Sequence, residues 1–425
     1  MPQEQSLTTR QDKTSDLTHI QYRLIYIATN YQFFYSYIHR LYDFSFCPIM
    51  KTHASEKQHL CLIGGGHSHV MVIKQLITEP LQNTDVTLIS PDMYTPYSGM
   101  LPGLIAGHYL FEDCHINLRR LCQWAGIRFV RSSVERIDPE LQIINCPDFE
   151  PIRYDLLSIN IGSQPTTHGI LGADNFGCAI KPIRNFLLRW HHWLDSRAES
   201  KRKQKIVVVG GGAAGVEVLL AMHYHVQAST TIEVDFTLIN GDLAILATHN
   251  RTVQNYFHRH LQSKGITVRN GKVFSIDEQS LHLQDGTSLD YDFTVWATHA
   301  GAYSWPAGSG IKCDSRGFIE VNQNLQSISH ANIFAAGDCA AFMPQALSKA
   351  GVFAVRQGPL LFDNIVASIN RTKLSSFKPQ HQFLSLITTG GRHAIASRGV
   401  IFLHGRWVWR WKDFIDSKFM KSFRH

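Results

Sequence analysis

Two stretches of this chain repeat one design, and that repetition restricts the possible folds more than any other feature. HLCLIGGGHSHVMVIKQL runs from His59 to Leu76, and KIVVVGGGAAGVEVLLAM from Lys205 to Met222. Each is an apolar run of strand length, then glycines, then apolar residues at helical spacing, the opening of a dinucleotide-binding βαβ unit. Each is followed by a second β-rich run, DVTLIS (Asp85 to Ser90) and VDFTLIN (Val234 to Asn240). The expected fold class is therefore α/β, with two Rossmann-like domains and a small carboxyl-terminal region. At 425 residues the chain has room for both.

The second turn fills all three glycine positions with Gly210, Gly212 and Gly215. The first allows a tight turn, the second lets the backbone approach a pyrophosphate, and the third lets helix pack on strand. Helix-start N–H groups and the helix dipole then favour phosphate charge. In the first turn Gly64, Gly65 and Gly66 are followed by Ser68, but His69 takes the third glycine's place, and its ring should push the helix from the strand. His67 and His69 lack a third ligand at metal spacing, so no metal is expected. The acid that would hold an adenosine ribose is missing twice. Ser90 and Asn240 stand there, with Asp92 and Asp242 two residues on, which leaves the choice between NADH and NADPH open.

ANIFAAGDCAAF, from Ala331, reads as a late strand ending in Gly337-Asp338, and residues 349–365 have helical periodicity. This organisation predicts a discontinuous first domain: residues 57–195 and 326–370 around an inserted second domain, 203–325. The charged stretch 195–204 marks the boundary between them. Residues 371–425 form a tail, and 1–56 an extension. Within that extension, residues 1–49 read either as a start placed too early or as a presequence that could address an organelle.

Composition excludes several classes. Hydrophobic residues make up 44% and charged residues 18%, which fits a folded rather than a disordered chain. A dispersed net charge of +7 gives no footprint for nucleic acid. Eight cysteines without a Cys-x-x-Cys pair are no disulfide framework and suit a reducing, cytoplasmic setting. No apolar run reaches the roughly 18 residues of a membrane span. In the tail, Trp407, Trp409, Trp411, Phe414, Ile415, Phe419 and Phe423 alternate with Arg406, Arg410, Lys412, Lys418, Lys421 and Arg424. On a helix, Trp411, Phe414, Ile415, Phe419 and Phe423 share a side, which suits an in-plane membrane helix, or equally a tail covering the first domain or a second copy in a homodimer.

The twin units, the late Gly337-Asp338, and the strand ends INIGS (Ile159 to Ser163) and WATHAG (Trp296 to Gly301) together resemble the pyridine nucleotide-disulfide oxidoreductase superfamily over residues 57–370. Type II NADH dehydrogenases are the nearest named type. SPDMYTPYSGMLPGLIAGHY, Gly351 to Gly358 and GRWVWRWKDFIDSKFM further resemble the flavoprotein fused ahead of selenide, water dikinase. The resemblance implies FAD on the first unit and NAD(P)H on the second. It implies flavin contact through Asp338, a cofactor role for Val134 and Gly162, and a position beside the stacked rings for Glu217, in the first turn of its helix. Lys181 would offer charge to reduced flavin or lie idle on the surface. Gln357, aligned on Gly358, would face a quinone-like acceptor. The implied activity is NAD(P)H dehydrogenation. Reduction of a sulfur or selenium species through Cys339, and nucleotide sensing with little turnover, are the alternatives.

Overall fold

The computed structural model describes residues 57–424 apart from 168 and 381, so the expectations for residues 1–49 lie outside the described residues. In chain order the principal elements are β1 (Gln58–Ile63), α1 (His67–Thr78), β2 (Thr84–Ile89), β3 (Arg128–Val130), β4 (Leu156–Ile159) and β5 (Cys178–Ala179). There follow α2 (Ile183–Arg197), β6 (Gln204–Val209), α3 (Ala213–Ser229), β7 (Val234–Asn240), α4 (Arg251–Ser263), β8 (Thr267–Asn270) and β9 (Phe293–Trp296). Last come β10 (Ile333–Ala335), α5 (Gly351–Ile369), β11 (Ser385–Thr388), β12 (Ala394–Arg398), β13 (Ile401–Gly405) and α6 (Arg406–Lys421).

Two five-stranded parallel sheets carry the molecule, ordered β10-β4-β1-β2-β3 and β5-β9-β6-β7-β8. Their central strands are buried on both faces, which is why β1 and β6 read as unbroken apolar runs and not as alternating ones. Leu60, Cys61, Leu62 and Ile63 are buried, as are Ile206, Val207, Val208 and Val209. Each unit inserts a three-stranded antiparallel meander, at residues 136–153 before β4 in the first and at 273–290 before β9 in the second. Strand β10 returns beside β4, so the first sheet is completed across the whole second unit.

The boundary lies earlier than residue 195. Strand β5 already pairs with β9. Phe186, Trp190 and Trp193 of α2 belong to the second unit's core. The charged stretch after them is a solvated link inside that unit, because the large aromatics before it need its apolar cover.

The carboxyl-terminal elements span both units. The antiparallel sheet β11-β12-β13 puts Ile387 and Ile395 into the second core. Helix α6 brings Met420, at its end, and Phe423, just beyond it, into the first. Its inward face is Val408, Lys412, Asp416 and Met420, spaced by one helical turn. The expected single aromatic side therefore divides. Phe423 is buried and Phe419 packs on the first core, while Trp407, Trp411, Phe414 and Ile415 remain exposed.

Candidate functional site

At the first turn Gly64 has a φ of +89°, and a Cβ there would lie 2.5 Å from the Asn160 carbonyl oxygen. Asn160, just past β4, organises the turn. Its Oδ1 accepts the N–H groups of Ser68 and His69 at 3.0 and 3.2 Å, and its Nδ2 donates to the Ala336 carbonyl at 2.6 Å. A Cβ on Gly66 would fall 2.3 Å from that Oδ1, so this glycine makes room for the asparagine. His69 does not displace the helix. Its ring is fully buried, with Nδ1 bonded to the Gly64 carbonyl at 2.6 Å and Nε2 to Ser158 Oγ at 2.8 Å. Burial pushes His69 down to about 4, so the ring is neutral and binds both neighbours as one donor and one acceptor.

The second turn is open. Gly210 has a φ of +129°, and a Cβ on it would meet the Ala297 carbonyl at 2.2 Å. A Cβ on Gly215 would come 1.9 Å from the Gly210 carbonyl, so glycine is required where the first turn carries His69. Nothing lies within 4 Å of a Cβ on Gly212, and no side chain caps the helix. The first N–H groups of α3 therefore remain for a ligand. Asn240 closes the far wall. Its Nδ2 donates to the Asp242 carbonyl at 2.8 Å, and its Oδ1 is buried against Gly211 without a partner.

Beside the first turn, Asp338 follows β10 on a short 3-10 turn. Its Oδ2 pairs with Lys181 Nζ at 3.0 Å and accepts from Ser163 Oγ at 3.2 Å. Burial would raise this carboxyl, but Lys181, Ser163 and Lys349 outweigh it and hold Asp338 below the ordinary range. Lys181 is thus neither idle nor free. It is the counter-ion of the acid that the resemblance assigns to the flavin. Gly162, at a φ of +73°, has open space around it.

Other expected residues are committed inward. Ser68 is fully buried, and its hydroxyl donates to the Ala354 carbonyl at 2.7 Å where α5 crosses α1. Gln357 is corrected from an acceptor-channel residue to an internal brace: it is buried and its Oε1 accepts the Gly337 N–H at 2.6 Å. It steadies the Gly337-Asp338 turn instead. Gly358, the anchor of that alignment, is a helix-crossing glycine whose Cβ would lie 2.4 Å from Met71 Cβ. Ser90 Oγ donates to the Asp92 carbonyl at 3.1 Å, and Asp92 pairs with Arg184 at 3.5 Å. Val134 is half-buried against the first core.

Glu217 is the fifth residue of α3, past the first turn, and does not serve as a helix-start acid. Its Oε1 accepts the Thr388 N–H at 2.7 Å and the Thr388 hydroxyl at 2.9 Å. Burial raises this carboxyl, while Lys412 and Thr388 pull the other way. Lys412 Nζ donates to the Gly99 carbonyl at 2.6 Å and pairs with Asp416 at 2.5 Å. Gly99 belongs to the loop whose Tyr97 ring meets His67 of the first turn edge-on, at 5.5 Å. The carboxylate after one glycine turn and the loop over the other are thereby drawn together by α6.

Asn160 and Thr388 are not singled out by the sequence, and Lys412 stands out there only as one of the tail's alternating basic residues. Lys412 and Asp416 had a usable signal, since they interrupt an otherwise apolar Val408/Met420 stripe at one-turn spacing. Asn160 and Thr388 had none, because their roles depend on partners 91 and 171 residues away.

All seven described cysteines are unpaired. Cys339 is buried, its thiol points at the Ala336 and Ile159 carbonyls, and burial pushes it up to about 11.

Residues 58–358 match the family described as pyridine nucleotide-disulphide oxidoreductase. A probable NADH dehydrogenase of Dictyostelium discoideum is 25% identical over 318 residues, covering 67% of this chain and 68% of that protein. A type II NADH:quinone oxidoreductase of Staphylococcus saprophyticus is 23% identical, covering 73% and 83%. Among solved structures, the sulfide:quinone oxidoreductase of Aquifex aeolicus aligns with a TM-score of 0.72 at 20% identity, over 86% of this chain and 91% of that one. NDH2 of Plasmodium falciparum, in complex with NADH, also aligns at 0.72, with 18% identity over 86% and 98%.

Proposed function

Because the chain belongs to the pyridine nucleotide-disulphide oxidoreductase family and is an NAD(P)H oxidoreductase with FAD and NAD(P)H as cofactors, we propose that it passes electrons on to a quinone-like acceptor. The observation that carries this reading is Lys412, whose Nζ donates to the Gly99 carbonyl of the first unit and whose charge acts on Glu217 of the second, so α6 links the loop over one turn to the carboxylate after the other.

The residues fit both groups. Open space at Gly212 and the uncapped start of α3 suit a diphosphate that enters and leaves. Asp338, Ser163 and Gly162 suit the polar part of a flavin nucleotide, with Gly64 to Gly66 beneath its diphosphate. Bound flavin supplies hydride acceptance and delivery of two electrons. Lys181 keeps Asp338 ionised and in place. Thr388 fixes the rotamer of Glu217, which orients the nicotinamide and excludes water from its face. Asn240 supports the second turn from below.

Relatives named for quinone reduction favour a lipid-soluble acceptor. The exposed Trp407, Trp411, Phe414 and Ile415 on α6 give the chain an apolar face for meeting a membrane that holds one. Among the described residues no helix is long and apolar enough to cross a membrane. Thiol chemistry at Cys339 is disfavoured, because burial opposes the thiolate that such chemistry needs.

The test is anaerobic mixing of purified protein with NADH or NADPH, followed by a soluble quinone. The expected result is bleaching of the flavin absorption and its return on adding quinone. Flavin that stays oxidised, or reduced flavin indifferent to quinone, rejects the proposal.

A further inference from the structure

Where the carboxyl-terminal sheet meets the second unit, three imidazoles gather around one phenol. Tyr256 and His260 lie on α4, His393 just before β12 and His404 on β13. The Tyr256 ring is 5.9 Å from that of His260, 6.2 Å from His393 and 5.3 Å from His404, and the last two rings are 5.6 Å apart. Phe402 packs on Tyr256 and His404 from the sheet side.

We propose that His260 and His393, packed with the rings of Tyr256 and His404, form an acid-sensitive latch which docks the carboxyl-terminal sheet on the second unit and thereby keeps Thr388 on Glu217.

The connection to Glu217 is short. The His393 carbonyl accepts the Thr389 N–H at 3.1 Å, and Thr389 Oγ1 lies 3.2 Å from His393 Nδ1. Thr388, the next residue, donates both bonds to Glu217. Loss of the latch therefore reaches the candidate site through one peptide unit.

The charge surroundings set the direction. From α4 the latch faces Tyr256 and Lys264, and from α3 it faces His223. From the sheet it faces its own His393 and His404, with Arg392 beside them. None of these is a carboxylate, so each added proton meets only like charge. Burial holds His260 and His393 below the ordinary 6.5; for His260 a bond to the Thr389 backbone opposes this without overcoming it, and neighbouring basic groups add to the lowering of both. The docked form thus binds fewer protons than the released form. Docking is strongest above about 6.5 and weakens as pH falls below it, by up to tenfold for each unit of lowering.

The latch is a property of the fold and does not depend on the acceptor; only its effect on turnover rests on the proposed function. The test is hydrogen–deuterium exchange on the full FAD-loaded chain at about pH 7.5 and about pH 5.5, corrected for the intrinsic pH dependence of exchange. Segment 385–405 is expected to lose protection at the lower pH, while β6 and β7 keep theirs. The triple variant H260Q/H393Q/H404Q should retain protection at both. Protection independent of pH, or equal acid loss in the triple variant, overturns the proposal. Should that variant not fold, Lys264→Glu decides. A carboxylate beside His260 offsets the added charge and should move release to lower pH, and an unmoved midpoint overturns the latch. Failure of flavin reduction at neutral pH would reject the activity and leave this exchange result standing.

Discussion

The turn at Gly64 and the turn at Gly210 begin from nearly the same sequence and finish as different objects. In the first, Asn160 consumes two helix-start N–H groups and His69 stitches turn to strand. In the second, the helix start is uncapped and the middle of the turn faces open space. A glycine fingerprint thus sets only the path of the chain. Whether the turn is braced from within or left for a visitor depends on what the neighbouring strand contributes. The braced turn suits a resident cofactor and the open one an exchanging cofactor.

The contrast breaks most sharply at its third position. Gly215→His should displace α3, because even a Cβ would sit 1.9 Å from the Gly210 carbonyl. Stopped-flow reduction of the flavin by NAD(P)H should slow about a hundredfold or more, and first-unit stability should persist. The reciprocal His69→Gly removes two buried hydrogen bonds and the volume of a ring. A loss of about 3–5 kcal/mol is expected, read from the urea midpoint. Wild-type stability for that variant would show that the histidine is not a brace.

Glu217→Gln sharpens the view of the open side. The amide can still accept from Thr388, so the fold should hold while turnover falls about tenfold. Burial raises the Glu217 carboxyl, so its ionised form disappears at a higher pH than an ordinary glutamate's. Any acid limb of the rate profile above 4.5 that Glu217 causes should vanish in the amide variant. Lys181→Met tests the braced side, where loss of the Asp338 counter-ion should weaken FAD retention about three- to tenfold in dilution assays, screened as that partly exposed pair is. Smallest of all, Cys339→Ser should leave steady-state turnover within about twofold.

The architecture was legible because its signals are local. Apolar runs, glycines and helical spacing lie within single stretches of about twenty residues, and they placed both turns and the late strand. The site was less legible, since its decisive contacts join distant segments. His69 looked like a defect until Ser158 supplied a partner. Gln357 and Ser68 are polar residues on an apolar helix face, a pattern shared by ligand-facing groups and by internal braces. The boundary at 195 followed charge, although the tryptophans before it had already committed α2 to the second core.

The placement of α6 has a consequence for biosynthesis. Both nucleotide turns leave the ribosome long before Lys412 does, yet Lys412 is what joins Gly99 to the surroundings of Glu217. A nascent chain can thus acquire the means to hold its nucleotides while its two halves are still unclasped. Any step that needs the two halves held in this arrangement can begin only once α6 has emerged.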